Sequence, residues 1–325
     1  MNGRRGFIKG ALALSAGAPL ITAASEAPAA GSAEEKLKVL AGRGRWERLT
    51  LAYHHIKAGA TKPFSVLHIS DTHFTDAYAH EAQGTRDASK WRRCTFGGMQ
   101  EQALADSLEW AKKNVDCVVH TGDLMDWQSE ANYDLVRKYF TGNRIFGAVG
   151  NHEFYTYLPG EKKEPTEAFK ERSWPILKTV YPDDVRFNSH VVNGVNFICM
   201  DDVFATVQQD QVDRFHEEVK KGLPIILCMH VPFFDDELYM MSRKYWTSGK
   251  RFVSADVKTI SGDYKRQRED PVTRDFIAWL KKLDLLKGIL CGHLHIVART
   301  RFSPSADQYV VGGNYLFNGA EILFT

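Results

Sequence analysis

The chain has 325 residues, 44% of them hydrophobic and 25% charged, with 42 Lys and Arg against 40 Asp and Glu. That length and apolar content accommodate one large cored domain or two small ones and exclude a disordered chain. A net charge of +2 lacks the basic excess by which nucleic-acid-binding surfaces declare themselves, so no nucleic-acid partner is expected.

In chain order, Arg4-Arg5-Gly6-Phe7-Ile8-Lys9 precedes a small, apolar run from Gly10 to Ile21, and small residues follow at Thr22-Ala23-Ala24 and Ala27-Pro28-Ala29. A positive start, a short apolar stretch and an A-x-A site describe a secretory signal. The paired arginines resemble the bacterial twin-arginine signal, which carries folded proteins. A spanning helix needs about 20 apolar residues, and this run is shorter and broken by Gly and Pro. The expectation is an export signal over residues 1–30, a single domain over 31–325, and no stable membrane span after processing.

Ser32-Ala33-Glu34-Glu35 reads as a capping box opening a short helix. Short apolar runs then read as buried strands: Ser65–Ser70, Cys117–His120, Ile145–Val149, Val195–Met200, Ile225–Met229 and Gly288–Cys291. Leu104, Leu108, Ala111 and Val115 share one helical face, and residues 210–221 and 272–286 read as further helices. Strands alternating with helices predict an α/β architecture. The five cysteines show no framework spacing, and Cys117, Cys199 and Cys228 lie within strand-like runs as small core side chains. Cys94 is expected in a polar loop. No disulfide is required.

The placement of potential ligands carries most information. Asp71-Thr72-His73, Gly122-Asp123-Leu124-Met125-Asp126, Gly150-Asn151-His152-Glu153, His230 and Gly292-His293-Leu294-His295 each follow a predicted strand within a few residues. Ligand sites of open α/β sheets gather beyond the carboxyl ends of the strands. One such Asp is an ordinary helix cap and one His an ordinary core group. Five segments in this arrangement are not explained by caps and turns.

These segments resemble the motif series of the calcineurin-like metallophosphoesterase superfamily: D-x-H, G-D-x-x-D, G-N-H-[DE], a lone His, and G-H-x-H. The resemblance runs from Asp71 to His295. It implies a four-layer α/β-β/α sandwich, two mixed sheets flanked by helices, with a dinuclear metal site at the strand ends. It further implies one metal held by Asp71, His73 and His295, the other by Asn151, His230 and His293, and Asp123 bridging both. By the same resemblance His152 stabilises or protonates the leaving oxygen, and Asp126 hydrogen-bonds it.

Independently, mixed imidazole and oxygen ligands suit Zn, Mn or Fe rather than Ca. Two such ions about 3.5–4 Å apart clamp the attacking and departing oxygens of an in-line displacement and supply a nucleophile at neutral pH. Purple acid phosphatases carry Tyr where this chain has Asp126, so a colourless protein is expected. About thirty residues follow His295, and they do not amount to the large C-terminal domain of the nucleotidase branch. Loops over roughly 74–98, 154–190 and 231–272 are expected to cover the site, with Tyr78, Trp91, Arg92, Arg93, Tyr155, Tyr157, Phe233, Phe234, Tyr239, Tyr245, Trp246, Lys250 and Arg251 among them. The expected activity is hydrolysis of a small phosphomonoester or phosphodiester, diesters slightly favoured. The competing reading is a non-catalytic binding or scaffold protein on the same fold.

Overall fold

The computed structural model describes residues 48–141, 144–154, 167–246 and 270–325. The expected export signal, the capping box at Ser32, and Tyr155, Tyr157, Lys250 and Arg251 lie outside the described residues. No helix among them is long and apolar enough to cross a membrane.

Eleven strands form two sheets among the described residues. In chain order they are β1 Thr50–Ile56, β2 Phe64–Ile69, β3 Cys117–Thr121, β4 Ile145–Ala148, β5 Phe187–Val192, β6 Val195–Met200, β7 Ile225–Cys228, β8 Leu286–Cys291, β9 Ala298–Arg301, β10 Asp307–Val310 and β11 Asn318–Phe324. The first sheet runs β1-β11-β2-β3-β4 and the second β5-β6-β7-β8-β10-β9. Within the first, β2, β3 and β4 are mutually parallel while β11 runs antiparallel to β2. Within the second, β6, β7, β8 and β10 are parallel, and β5 and β9 are antiparallel edges.

The helices are α1 Gln83–Thr95, α2 Gln100–Asn114, α3 Glu130–Phe140, α4 Glu167–Glu171, α5 Trp174–Val180, α6 Gln209–Val219, α7 Asp236–Tyr245 and α8 Pro271–Leu280. Side-chain caps fix several starts: Ser129 accepts from the Asn132 N–H, Asp235 from that of Leu238, and Asp270 from that of Thr273, with Pro271 at the first helical position.

Side-chain alternation explains the layering. In β2, Phe64 and Val66 face the second sheet and pack with Phe197, Cys228 and Leu290. Leu67 and Ile69 face the opposite way, onto Leu104, Leu108 and Val136 of α2 and α3. The outer face of the second sheet packs Ile198, Leu227 and Ile289 on Phe215, Leu238 and Phe276 of α6, α7 and α8. Helices, sheet, sheet, helices is the four-layer α/β-β/α sandwich expected from the motif series.

The six strand expectations each fall on a strand. The expected loop over 74–98 contains α1, so exposed Cys94 lies on a helix. The helix expected over 272–286 stops at Leu280, because β8 begins at Leu286. The other four cysteines are buried and free.

Candidate metal centre

Turns after β2 and β3 run side by side. The N–H groups of Asp71, His73 and Phe74 donate to the carbonyls of Gly122, Asp123 and Leu124 at 2.9, 2.9 and 2.8 Å. Asp71 and His73 take positive φ values of 56° and 55°, Asp123 of 52°, His293 of 66° and His295 of 54°. Non-glycine residues avoid this left-handed region at a cost of about 1–2 kcal/mol each, and such strain collects where surrounding structure enforces it. These five are the majority of the nine non-glycine residues with positive φ among those described.

Two glycines make the convergence possible. A Cβ on Gly122, itself at φ 94°, would lie 2.6 Å from the Gly150 nitrogen and 2.7 Å from His230 Nδ1. A Cβ on Gly292 would lie 1.9 Å from Ser70 Oγ and 2.5 Å from Asp71 Oδ2. The motif glycines thus let turns from both sheets approach closely.

Buried carboxylates pin these turns. Glu153 accepts the N–H groups of Asp123 (3.0 Å), Leu124 (2.7 Å), Met125 (3.2 Å) and Gly150 (2.6 Å), and the Tyr181 hydroxyl at 3.2 Å. Asp202, just past β6, accepts the N–H of His230 at 3.1 Å and that of Val231 at 3.0 Å. Burial pushes both carboxyls up to about 7, opposed for Asp202 by His230 and reinforced for Glu153 by Asp123. The Asp71 carboxylate accepts the His293 N–H at 2.9 Å, linking the two sheets.

The imidazoles share one orientation. His73 Nδ1 lies 3.0 Å from Asp126 Oδ1, His230 Nδ1 2.7 Å from the Thr121 carbonyl, His295 Nδ1 3.1 Å from the Tyr315 hydroxyl, and His152 Nδ1 2.8 Å from the Asp126 carbonyl. A carboxylate and a carbonyl only accept, so Nδ1 of His73, His230 and His152 carries the proton. Each Nε2 then turns inward. His295 Nε2 lies 3.0 Å from Asp71 Oδ1 and 3.3 Å from His73 Nε2. His230 Nε2 lies 3.2 Å and His73 Nε2 3.8 Å from Asp123 Oδ2. His152 Nε2 is 4.0 Å from the same oxygen.

Two sets of donor atoms result, Asp71 with His73 and His295, and Asp123 with His230 and His293, each within 4.8 Å of one another. A third grouping of that size, His73, Asp126 and His152, is a hydrogen-bonded brace, because its histidines point Nδ1 at Asp126. Buried Oδ1 of Asp71, Oδ1 of Asn151 and Nε2 of His230 have no hydrogen-bond partner, although their neighbours stand close. Lone pairs and carboxylate oxygens crowd together at distances that only a proton or a cation between them stabilises. Protons are drawn accordingly: burial opposes the charged imidazoles, yet the surrounding carboxylates prevail and raise His73 to about 9 and His230 to about 10. Burial likewise opposes the Asp71 and Asp126 anions, and the histidines, with Arg92 at Asp126, hold both well below the usual carboxylate range. The donor set therefore fits a pair of divalent cations.

An aromatic wall closes one flank. Phe96 stacks on His73 at 4.4 Å, Tyr315 lies 5.3 Å and Trp246 5.5 Å from the His295 ring, and the Trp246 indole donates to the Leu294 carbonyl. All nine residues singled out from the motifs meet in this one region. Sequence reasoning missed Asp202, Tyr315 and the engagement of Arg92, which donates to Asp126 through Nε at 2.5 Å and Nη2 at 2.7 Å. Asp202 shares the strand-end placement that marked the other segments and was detectable by it. Nothing in the sequence marked Tyr315.

A sequence model described as calcineurin-like phosphoesterase matches residues 64–297, more than half of the chain. The chain belongs to that family, whose chemistry is phosphoester hydrolysis at a metal centre. Among solved structures it is similar to a dimetal phosphatase from Danio rerio, at 12% identity over 79% of this chain and 91% of that one, with a TM-score of 0.47. It is also similar to a phosphopantetheinyl hydrolase from Mycobacterium tuberculosis, at 15% identity over 78% and 91% of the two chains and a TM-score of 0.39. A 5'-nucleotidase from Candida albicans matches at 11% identity and a TM-score of 0.37 over 82% of this chain, which spans about half (47%) of that protein's length. No curated protein matches the sequence.

Proposed function

We propose that the chain hydrolyses small phosphate esters, diesters ahead of monoesters, at a dinuclear centre of Mn, Zn or Fe. Asp71, His73 and His295 would hold one ion, Asn151, His230 and His293 the other, with Asp123 offering an oxygen to each. The observation that carries this is the buried cluster of inward-facing oxygen and imidazole donors brought from five strand ends to one place, in which Asp71 Oδ1, Asn151 Oδ1 and His230 Nε2 lack a hydrogen-bond partner. Divalent ions bound there supply Lewis-acid stabilisation of the phosphoryl oxygens and a nucleophile at neutral pH.

The chain's own residues do the rest. His152, with its Nδ1–H held by the Asp126 carbonyl at 2.8 Å, directs Nε2 toward the centre and, as the imidazolium, passes its Nε2 proton to the departing oxygen, leaving the neutral ring. Glu153 and Asp202 hold the turns bearing Asp123 and His230 against displacement. Trp246 and Tyr315, both partly exposed beside the His295 ring, offer apolar surface to the second substituent of a diester, which supports the diester preference. Residues 1–30 serve as a twin-arginine export signal, placing the enzyme in the bacterial periplasm or outside the cell.

Metal analysis of purified protein, with turnover of p-nitrophenyl phosphate and bis-p-nitrophenyl phosphate, tests the reading. Two ions per chain and faster cleavage of the diester are expected. Metal-loaded protein that cleaves neither ester, nor any of a wider panel, would leave a binding or scaffold role in its place.

A further inference from the structure

Helix α1 lies on the surface, with Thr85 its one buried residue, yet Arg92 reaches inward from it. The Arg92 side chain is 14% exposed, and the Asp126 side chain it meets is fully buried. Its guanidinium lies 4.7 Å from the Phe96 ring and 5.4 Å from the exposed Trp91 ring, with two nitrogens on the two oxygens of Asp126. Asp126 Oδ1 in turn stands 3.0 Å from His73 Nδ1 and 2.9 Å from His152 Nδ1. One carboxylate thus braces both an imidazole of the metal set and the imidazole assigned to the leaving group.

We propose that Arg92 is a positioning residue: its two-point grip fixes the orientation of the Asp126 carboxylate so that it is aimed at Nδ1 of both His73 and His152. The proposal rests on the functional reading above and extends it to α1. The planar guanidinium fixes the rotation of the carboxylate, which an ammonium cannot do. Without that grip the carboxylate turns, His73 loses its Nδ1 acceptor and His152 keeps only the Asp126 backbone carbonyl, so the aim of both Nε2 atoms loosens. Two of the guanidinium's nitrogens are engaged on Asp126, which assigns Arg92 to the protein's own carboxylate ahead of the substrate phosphate.

The test compares full-length wild type with Arg92→Gln and Arg92→Lys. Three quantities are measured: Mn and Zn affinity by chelator competition, kcat and KM across aryl phosphodiesters of graded leaving-group pKa, and Tm. Arg92→Gln should bind metal about 10–100-fold more weakly, the range for a lost partner of a metal-ligating histidine. Its kcat should fall most for poor leaving groups with KM little changed, and Arg92→Lys should lie between. Unchanged metal affinity with a uniform loss across leaving groups overturns the proposal. So does a raised KM at constant kcat, which would mark a phosphate anchor, or a lowered Tm alone, which would mark a purely structural role. Should Arg92→Gln not fold, Arg92→Lys carries the same comparison. A wild type that binds metal and cleaves nothing defeats the hydrolytic reading, while the metal competition still decides the role of Arg92.

Discussion

Asp123 and His152 neighbour one another in the centre, with the His152 N–H on Asp123 Oδ1 at 2.9 Å, yet their loss should look different. Asp123→Asn keeps the shape and that backbone hydrogen bond but removes the negative charge between the two donor sets. Metal content should drop and hydrolysis disappear while circular dichroism stays native; two retained ions would exclude a bridging role. His152→Ala removes a ring whose Nδ1 is held by the protein and whose Nε2 faces the centre. Both ions should remain, and turnover should fall by roughly 10²–10⁴, most for poor leaving groups. Equal slowing of all leaving groups would contradict proton delivery by His152. At this scale the sequence was most legible: Asp71, His73, Asp123, Asn151, His230, His293 and His295 stood out because motif spacing and strand-end placement mark each of them. Arg92 and Tyr315 reach the centre from a helix and a short turn whose packing no local pattern encodes.

Elements matter here chiefly through the turns that end them. The Gly122 turn after β3 combines a positive φ with close approach to the backbone after β4 and to His230. Gly122→Ala should therefore cost about 1–2 kcal/mol for the left-handed backbone alone, with contact at 2.6 Å to Gly150 adding to it. A lowered Tm together with reduced metal content is expected. Wild-type metal content in this variant would show that the turn tolerates displacement without moving Asp123. Six strands were readable from apolar runs such as VNFICM and IILC, whereas β10 and β11, though buried, were not expected, their sequences DQYV and NGAEILF being broken by polar residues. The edge strands β1, β5 and β9 were not expected either, because TLAYHHI, FNSHVV and ARTR are half-exposed and polar and their pairing is decided by distant neighbours. Helix α1 was missed for a related reason: it buries almost nothing, so its sequence shows no apolar stripe.

For the molecule as a whole, buried titratable groups set the response to acid. Burial, aided by Arg299, lowers His54 to about 4, and burial lowers His68 and His120 to about 3. Each is neutral when folded and binds a proton on unfolding below its ordinary 6.5, so it stabilises the fold at neutral pH and loses that contribution as pH falls. Asp71 and Asp126, held below 3.8, lose theirs in the same direction. Glu153 and Asp202, raised to about 7, act oppositely between their ordinary values of 4.5 and 3.8 and that point. The opposing contributions overlap down to about pH 4, and below it the losses accumulate unopposed. Three imidazoles outweigh two carboxyls, so thermal melts of metal-stripped protein should decline gently from pH 6.5 to about 4.5 and drop steeply beneath; a Tm at pH 3.5 equal to that at pH 6 would refute this. The order of strands, unlike their existence, was invisible beforehand. Strand β11 lies between β1 and β2 and is, among the described residues, the sole sheet neighbour of β1, so Thr50 waits for Asn318 to be made before it gains that partner. Such distant pairing delays closure of the sheet until after synthesis has passed residue 318. A nascent chain halted before that point would expose the flank of β2 that β11 covers, leaving it open to adhesion by other unfinished chains.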